Sequence, residues 1–263
     1  MKTRTISAII ALAVFIPIIV FGGMIFAITM AILGIIGLYE LATMQKIKYF
    51  NLIGIVSSIA MCTLVLPDKY LPVFLSYLGS DVIVYLCGMF LLVLTVYKYH
   101  ELNFNDVAVL IFGVLYIGFG FHYLILIRDI GLATIIYQFL VIWSTDTGAY
   151  LVGVKYGKNK LAPEISPNKT IEGSIGGVLT ALITSSIYLY YFPTYLPNQD
   201  YIWILTILLS CTGQLGDLVE SAYKRHFNVK DSGRFLPGHG GVLDRFDSTI
   251  FTSFMLVIWL NIF

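Results

Sequence analysis

The sequence predicts an all-α integral membrane protein with about nine transmembrane helices and a cytoplasmic N-terminus. Composition is the first reason, because the 263 residues are 58% hydrophobic and only 12% charged, with a mean hydropathy of +0.87. Soluble domains carry about 25% charged residues, so a soluble enzyme and a disordered chain are both excluded. The formal net charge of +1 gives no reason to expect a nucleic-acid partner.

The second reason is a series of nine apolar segments of membrane-spanning length. A transmembrane helix needs about 20 mostly apolar residues, and short polar or Pro- and Gly-bearing breaks separate such segments here. The predicted spans are 5–21, 24–43, 50–66, 79–97, 106–127, 131–154, 171–192, 201–223 and 244–262. The first resembles a signal peptide, but Phe21-Gly22-Gly23 leads directly into another span, which favours an uncleaved helix.

The third reason is the distribution of basic residues, since Lys and Arg in short loops mark the cytoplasmic side. Fourteen of the sixteen fall on one side of the nine-span arrangement, and Lys69 and Arg128 fall on the other. The fourteen are Lys2, Arg4, Lys46, Lys48, Lys98, Lys155, Lys158, Lys160, Lys169, Lys224, Arg225, Lys230, Arg234 and Arg245. The loop 192–200 has no basic residue and is predicted to lie outside. We therefore expect a cell-membrane protein with its polar loops in the cytoplasm.

Polar residues are concentrated in the second half of the chain. Residues 1–130 are predicted to form five mostly apolar spans. Residues 131–263 are predicted to form a C-terminal catalytic domain of four spans, with cytoplasmic loops at 155–170 and 224–243. The three cysteines lie scattered in apolar segments without CxxC spacing, which favours neither a disulfide nor a zinc site.

Several carboxylates fall within predicted spans, where a charge costs at least about 2.5 kcal/mol on insertion scales and therefore suggests a function. Glu40 and Asp81 lie near span ends, and we interpret them as interfacial residues. Asp146 lies among hydroxyl residues, and Gly148 beside it permits close helix approach. Asp146 is therefore a candidate site residue, with simple capping by its neighbouring hydroxyls as the alternative.

Two polar stripes predict a metal site at the cytoplasmic ends of spans eight and nine. The first comprises Asp217, Glu220, Ser221 and Lys224, and the second Asp244, Asp247 and Ser248, each on one helical face. If the helices face each other, Asp217, Asp244 and Asp247 converge, and three close carboxylates cannot all stay ionised without a cation. Oxygen ligands favour a hard ion such as Mg²⁺, and we expect one or two such cations. Alternatively, these carboxylates are protonated or paired with Arg245.

The two cytoplasmic loops carry features suited to phosphate binding. In the longer loop, Gly238, Gly240 and Gly241 surround His239 and allow backbone N–H groups to approach a phosphate. Four bases accompany them: Lys224, Arg225, Lys230 and Arg234. In the shorter loop, Lys169 lies before span seven, which Asn168 or Thr170 could cap. The alternative is that the basic loop is only a topology signal or a lipid-headgroup patch.

These motifs together resemble the signature of the phosphatidate cytidylyltransferases, also called CDP-diacylglycerol synthases. The matching residues are Ser221-Ala-Tyr-Lys-Arg225, Lys230-Asp231, Pro237-Gly-His-Gly-Gly241 and Asp244-Arg-Phe-Asp247, with Asp146-Thr-Gly-Ala-Tyr150 and Ser166-Pro-Asn-Lys-Thr170 upstream. The resemblance covers roughly residues 140–250. Ile171 departs from it, since relatives often have an aromatic residue there, and no catalytic position is affected.

The resemblance implies a membrane enzyme that joins CTP and phosphatidic acid into CDP-diacylglycerol and pyrophosphate, with Mg²⁺ and as a homodimer. It implies that Asp217, Asp244 and Asp247 bind metal, with Asp146 and Lys224 also catalytic. The implied substrate-binding residues are Ser166, Lys169, Thr170, Ser221, Arg225, Lys230 and His239. Two other functions remain open at this stage. A CTP-dependent lipid kinase of the dolichol kinase type would release CDP instead, and a cation-coupled transporter would not turn over CTP.

Overall fold

A computed structural model describes residues 2–192, 194, 196, 199–235 and 240–262. Ten α-helices lie within these residues: α1 (Lys2–Phe21), α2 (Gly23–Met44), α3 (Leu52–Val65), α4 (Val73–Leu78), α5 (Ser80–Tyr97), α6 (Phe104–Ile130), α7 (Leu132–Tyr156), α8 (Ile171–Tyr191), α9 (Ile202–His226) and α10 (Leu243–Ile262). Each predicted span coincides with one of these helices to within three residues at either end. The short helix α4 lies outside the predicted spans.

Five helices in the described part of the chain are long and apolar enough to cross a membrane: α2, α5, α6, α8 and α9. The apolar parts of α1 and α3 are shorter, at Ile10–Phe21 and Leu52–Val65. The helical fold class and several membrane-spanning helices are thus supported. The full count of nine spans and the cytoplasmic N-terminus remain predictions.

The helices and loops divide into two compact units. The first comprises Met1–Leu126 and Phe227–Asp244, and the second comprises Ile127–His226 and Arg245–Phe263. In the first unit, small residues allow helices to pack closely. A Cβ on Gly34 of α2 would lie 3.1 Å from Met61 of α3, and one on Gly113 of α6 would lie 2.6 Å from Leu41 of α2.

In the second unit, α7 and α8 make the closest helix contact. A Cβ on Gly177 of α8 would lie 2.7 Å from the carbonyl oxygen of Thr145, and one on Gly176 would lie 2.5 Å from Val152. Gly148 of α7 faces Thr180 in the same way, which confirms that this glycine permits close helix approach. Such small-residue contacts are a common way for helices to associate in a bilayer, where burial of apolar surface gives little driving force.

Side-chain hydrogen bonds connect the other helices of the second unit. Thr145 of α7 donates to Ser210 of α9 at 2.8 Å, and Gln138 of α7 donates to Thr252 of α10 at 3.0 Å. Ser248 of α10 donates to the carbonyl of Gly213 in α9 at 2.9 Å. These bonds satisfy polar groups that are buried between the helices. They fix the mutual positions of α7, α9 and α10.

The loop before α8 forms a short antiparallel hairpin, β1 (Lys160–Ala162) and β2 (Ser166–Thr170), where the sequence predicted only a loop. Thr170 then caps α8, because its hydroxyl accepts a hydrogen bond from the backbone N–H of Gly173 at 3.1 Å. Glu172 holds the chain just before β1, at the same end of the hairpin, by accepting hydrogen bonds from the backbone N–H groups of Lys158 and Asn159. The hairpin is therefore attached to the first turn of α8.

Candidate functional site

The hairpin and α9 bring a lysine and a carboxylate of the predicted site into contact. Nζ of Lys169, in β2, lies 2.5 Å from Oδ2 of Asp217 in α9. The side chains are 27% and 33% exposed, so neither is enclosed by the protein. Ser221, one turn after Asp217, donates to its Oδ1 at 3.4 Å. The shorter loop and α9, which the sequence treated separately, thus meet at one point.

Two more carboxylates lie around this pair. Asp146 of α7 interacts electrostatically with Asp217 and with Lys169, and Asp247 of α10 interacts with both Asp217 and Asp146. Arg245 also interacts with Asp146. We call the three carboxylates Asp146, Asp217 and Asp247, together with Lys169 that is paired with Asp217, the carboxylate cluster. Its members come from α7, the hairpin, α9 and α10, all within the second unit.

Lys224 lies about one helical turn after Ser221 in α9, and its ammonium group is hydrogen-bonded to a carboxylate of the same helix. Its Nζ donates to Oε2 of Glu220 at 2.6 Å, and the two side chains are only 12% and 2% exposed. Lys224 also interacts electrostatically with Asp247. The sequence analysis placed Glu220 on the polar stripe without giving it a role. In the structure it holds the ammonium group of Lys224.

The remaining predicted binding residues of the second unit lie in or against the hairpin. Ser166 and Thr170 begin and end β2, with Thr170 occupied as the cap of α8. Nε of Arg225 donates to the carbonyl of Ile165, beside the hairpin turn, at 3.3 Å. Arg225 is therefore anchored against the strand that carries Lys169.

Three predicted site residues are not among the described residues of the second unit. Asp244 and the exposed Lys230 belong to the first unit, and His239 lies outside the described residues. Oδ2 of Asp244 accepts hydrogen bonds from the backbone N–H and the hydroxyl of Ser232, each at 2.9 Å. It also accepts one from the N–H of Gly241 at 2.8 Å. The convergence of Asp244 with Asp217 and Asp247 stays a prediction.

The structure changes the interpretation of two features of the longer loop. The N–H of Gly241, which the sequence assigned to phosphate, donates to Asp244 instead. Glu40, interpreted as an interfacial residue, is 3% exposed and accepts hydrogen bonds from the N–H groups of Val242 and Leu243. Nothing in the spacing around Glu40 indicates partners about 200 residues away, so the sequence could not reveal this contact.

The carboxylate cluster has the donor chemistry of a hard cation site. Among the residues that the structure describes, no group of three or more His, Cys, Asp or Glu side chains already has a metal-binding arrangement. The three carboxylates Asp146, Asp217 and Asp247 nevertheless repel one another and offer only oxygen atoms, which are the ligands that Mg²⁺ prefers. These residues therefore fit Mg²⁺ by the chemistry of their donors.

The arrangement combines negative and positive groups that a phosphate-transfer site requires. Carboxylates can hold a cation, while Lys169 and Arg225 provide charged hydrogen-bond donors for phosphate oxygens. Lys169 and Asp217 are both partly exposed at the surface of the protein. The groups of this site that the structure describes are charged donors and acceptors for phosphate oxygens and cations. Positioning and charge neutralisation are thus the chemistry that it can supply.

Comparison with known proteins gives a consistent family assignment. The Cytidylyltransferase family model matches residues 2–263. The chain is 47% identical over 266 residues to a protein of Staphylococcus aureus (strain COL) named phosphatidate cytidylyltransferase, and the match covers 99% of each chain. Proteins of the same name from Staphylococcus haemolyticus and Staphylococcus saprophyticus are 46% and 44% identical, again over 99% of each chain.

Proposed function

The chain belongs to the cytidylyltransferase family, and from this premise we propose that it transfers the cytidylyl group of CTP to phosphatidic acid. The products are CDP-diacylglycerol, a precursor for phospholipid synthesis, and pyrophosphate. The observation that carries the proposal is the carboxylate cluster, in which Lys169 and Asp217 lie 2.5 Å apart beside two further carboxylates. Relatives with the same name match over almost the whole chain.

The reaction exchanges one phosphoanhydride bond for another. A phosphate oxygen of phosphatidic acid bonds to the α-phosphorus of CTP, and the bond from that phosphorus to the oxygen bridging to the β-phosphate breaks. The leaving pyrophosphate keeps that oxygen and the electron pair. The attacking phosphate is already largely ionised near neutral pH, so no general base is required. Catalysis depends on alignment and on neutralising phosphate charge.

The residues of the second unit suit separate parts of this task. Lys169 and Arg225 donate to phosphate oxygens of CTP or of the lipid. Asp217 and Asp247 are predicted metal ligands, as is Asp244 of the first unit, and Asp146 lies with the first two. Asp146, Asp217 and Asp247 would hold Mg²⁺, which when bound supplies positive charge against the phosphates of CTP. Glu220 fixes Lys224, whose ammonium group interacts electrostatically with Asp247 and offsets part of the negative charge of the carboxylates. Ser221 orients Asp217 through its hydroxyl.

The two alternative functions are not favoured. A lipid kinase would need the same phosphate contacts, but the relatives that match 99% of the chain carry the name of a cytidylyltransferase. A transporter would need no basic hairpin over its carboxylates. A homodimer, expected from the family resemblance, is part of the proposal and is measurable by light scattering of the detergent-solubilised protein.

The first test of the function is stoichiometry in a purified preparation. With CTP, phosphatidic acid and Mg²⁺, we expect one pyrophosphate for each CDP-diacylglycerol formed, and no pyrophosphate when phosphatidic acid is omitted. A transporter would release no pyrophosphate under any of these conditions. Nucleotide turnover that is independent of phosphatidic acid would contradict the proposal.

The proposal also places the basic loops in the cytoplasm, where CTP is found. A cysteine at the exposed position Asp231 should be protected from an impermeant thiol reagent in intact cells, and one at the exposed Asp200 should be labelled. The native cysteines Cys62, Cys87 and Cys211 are first replaced by Ala or Ser. Ser232 is unsuitable for this test because it is 4% exposed. Labelling at Asp231→Cys would place the loop on the wrong side of the membrane.

A further inference from the structure

The first unit contains a buried carboxylate, Glu40, that the proposed chemistry does not use. Glu40 lies in α2, and both of its oxygens accept hydrogen bonds from the segment 232–243. Oε1 accepts from the N–H of Val242 at 2.8 Å, and Oε2 accepts from the N–H of Leu243 at 3.0 Å. Leu243 lies 203 residues after Glu40 along the chain, so Glu40 satisfies two consecutive backbone N–H groups that are distant in sequence.

Ser232 connects Glu40 to Asp244. Its hydroxyl lies 3.0 Å from Oε2 of Glu40 and 2.9 Å from Oδ2 of Asp244. The backbone N–H of Ser232 also donates to Oδ2 of Asp244, while the N–H of Asp244 faces the serine oxygen at 3.3 Å. A hydroxyl has one proton, so it donates to one carboxylate at a time. Glu40, Ser232 and Asp244 therefore form one hydrogen-bonded unit.

Three glycines of the loop lie directly against these two carboxylates. A Cβ on Gly233 would lie 2.5 Å from Oε1 of Glu40, and a Cβ on Gly241 would collide with the same carboxylate. Gly240 has a φ of 83°, and a Cβ there would collide with Asp244. The close approach of Glu40 and Asp244 thus explains why three positions of this loop are glycine.

We infer that Glu40 is a positioning residue, which holds Ser232 and the backbone of Val242 and Leu243 and, through Ser232, orients the carboxylate of Asp244. Its effect on catalysis rests on the proposed function, because the sequence predicts that Asp244 binds the metal ion used in that reaction. The geometry requires a carboxylate of this length. A Gln would turn an N–H group toward the N–H donors of the loop, and an Asp would withdraw the acceptor by one methylene.

The experiment compares Glu40→Gln, Glu40→Asp and Ser232→Ala with the wild-type protein in detergent. The first measurement is the rate of tryptic cleavage after Lys230 and Arg234, both exposed in the loop. Because proteolysis reports the population of locally opened states, we expect cleavage to be at least about fivefold faster in each variant. The double variant Glu40→Gln/Ser232→Ala should be cleaved no faster than the more sensitive single variant, since both changes break one unit.

The second measurement is the kinetics of cytidylyl transfer. We expect kcat to fall by about 10- to 100-fold in Glu40→Gln, because misplacing a reacting group by about 1 Å has an effect of this size. The KM for CTP should change little. Asp106→Asn is the matched control, because Asp106 is also a buried carboxylate of the first unit and is hydrogen-bonded at the start of a helix, α6. This control should keep wild-type cleavage and kcat.

Three results would overturn the inference: wild-type cleavage in Glu40→Gln, additive effects in the double variant, or equal effects in Asp106→Asn. If Glu40→Gln does not yield folded protein, the same cleavage and kinetic measurements on Glu40→Asp and Ser232→Ala test the inference. The cleavage measurement uses neither CTP nor lipid. An inactive wild-type protein with a protected loop would therefore reject the proposed function alone, whereas an active enzyme whose variants stay protected would reject the role of Glu40 alone.

Discussion

Replacing Asp217 by Asn is expected to reduce cytidylyl transfer by at least about 10²- to 10³-fold, the usual effect of removing one electrostatic group from a transfer site. Asp217 is the carboxylate that joins the cluster, since it contacts Lys169 at 2.5 Å and interacts with Asp146 and Asp247. Asn has nearly the same shape, so no cavity forms and the fold should persist. The measurement is the initial rate of CDP-diacylglycerol formation at saturating substrates.

The control for this change is Glu164→Gln, which removes the same charge at an exposed position of the hairpin turn in the same unit. We expect the control to keep the wild-type rate, and both variants to elute from size exclusion like the wild type. A rate for Asp217→Asn within a few-fold of the control would show that the carboxylate cluster is not the reaction site.

The second large effect is expected for Lys169→Ala, which should make the enzyme use CTP less efficiently. A charge-assisted hydrogen bond is worth about 1.5–3 kcal/mol, so its loss should lower kcat/KM for CTP by about 10- to 100-fold. The matched control is Lys160→Ala, on the other strand of the hairpin. This change removes the same charge and leaves the contact with Asp217 intact.

Kinetics of the two lysine variants should differ in a defined way. Lys169→Ala should show the reduced kcat/KM for CTP at every ionic strength tested, whereas Lys160→Ala should stay close to the wild type. Equal, small losses in both variants would mean that the hairpin acts only through its overall charge, as a topology signal does.

The helices were predictable because each apolar segment is long and its ends carry local signals. Thr170, for example, was identified as a candidate cap from its position alone, and its hydroxyl does accept the N–H of Gly173. The two short strands were not predictable, since strands of three and five residues leave no alternating pattern long enough to recognise. The attachment of this hairpin depends on Glu172, which looks like any acidic residue in a first helical turn.

Local spacing also identified the polar stripe of α9, where Asp217, Ser221 and Lys224 do lie on one face. The partners of this stripe from other elements were harder to predict. Lys169 could be placed near the site only by its proximity to a helix N-terminus and by the family motif. Glu40 was misinterpreted because its partners, Val242 and Leu243, follow α2 by about 200 residues, and one sequence contains no signal for such a contact.

The most direct measurement of the central claim is the fate of each phosphorus atom of CTP. Purified protein is incubated with phosphatidic acid and CTP labelled either at the α- or at the γ-phosphorus, and the lipid and aqueous products are separated. We expect the α-label in the lipid, as CDP-diacylglycerol, and the γ-label in pyrophosphate, with both transfers lost in Asp217→Asn. Transfer of the γ-label to the lipid with release of CDP would identify a lipid kinase and would contradict the proposed function.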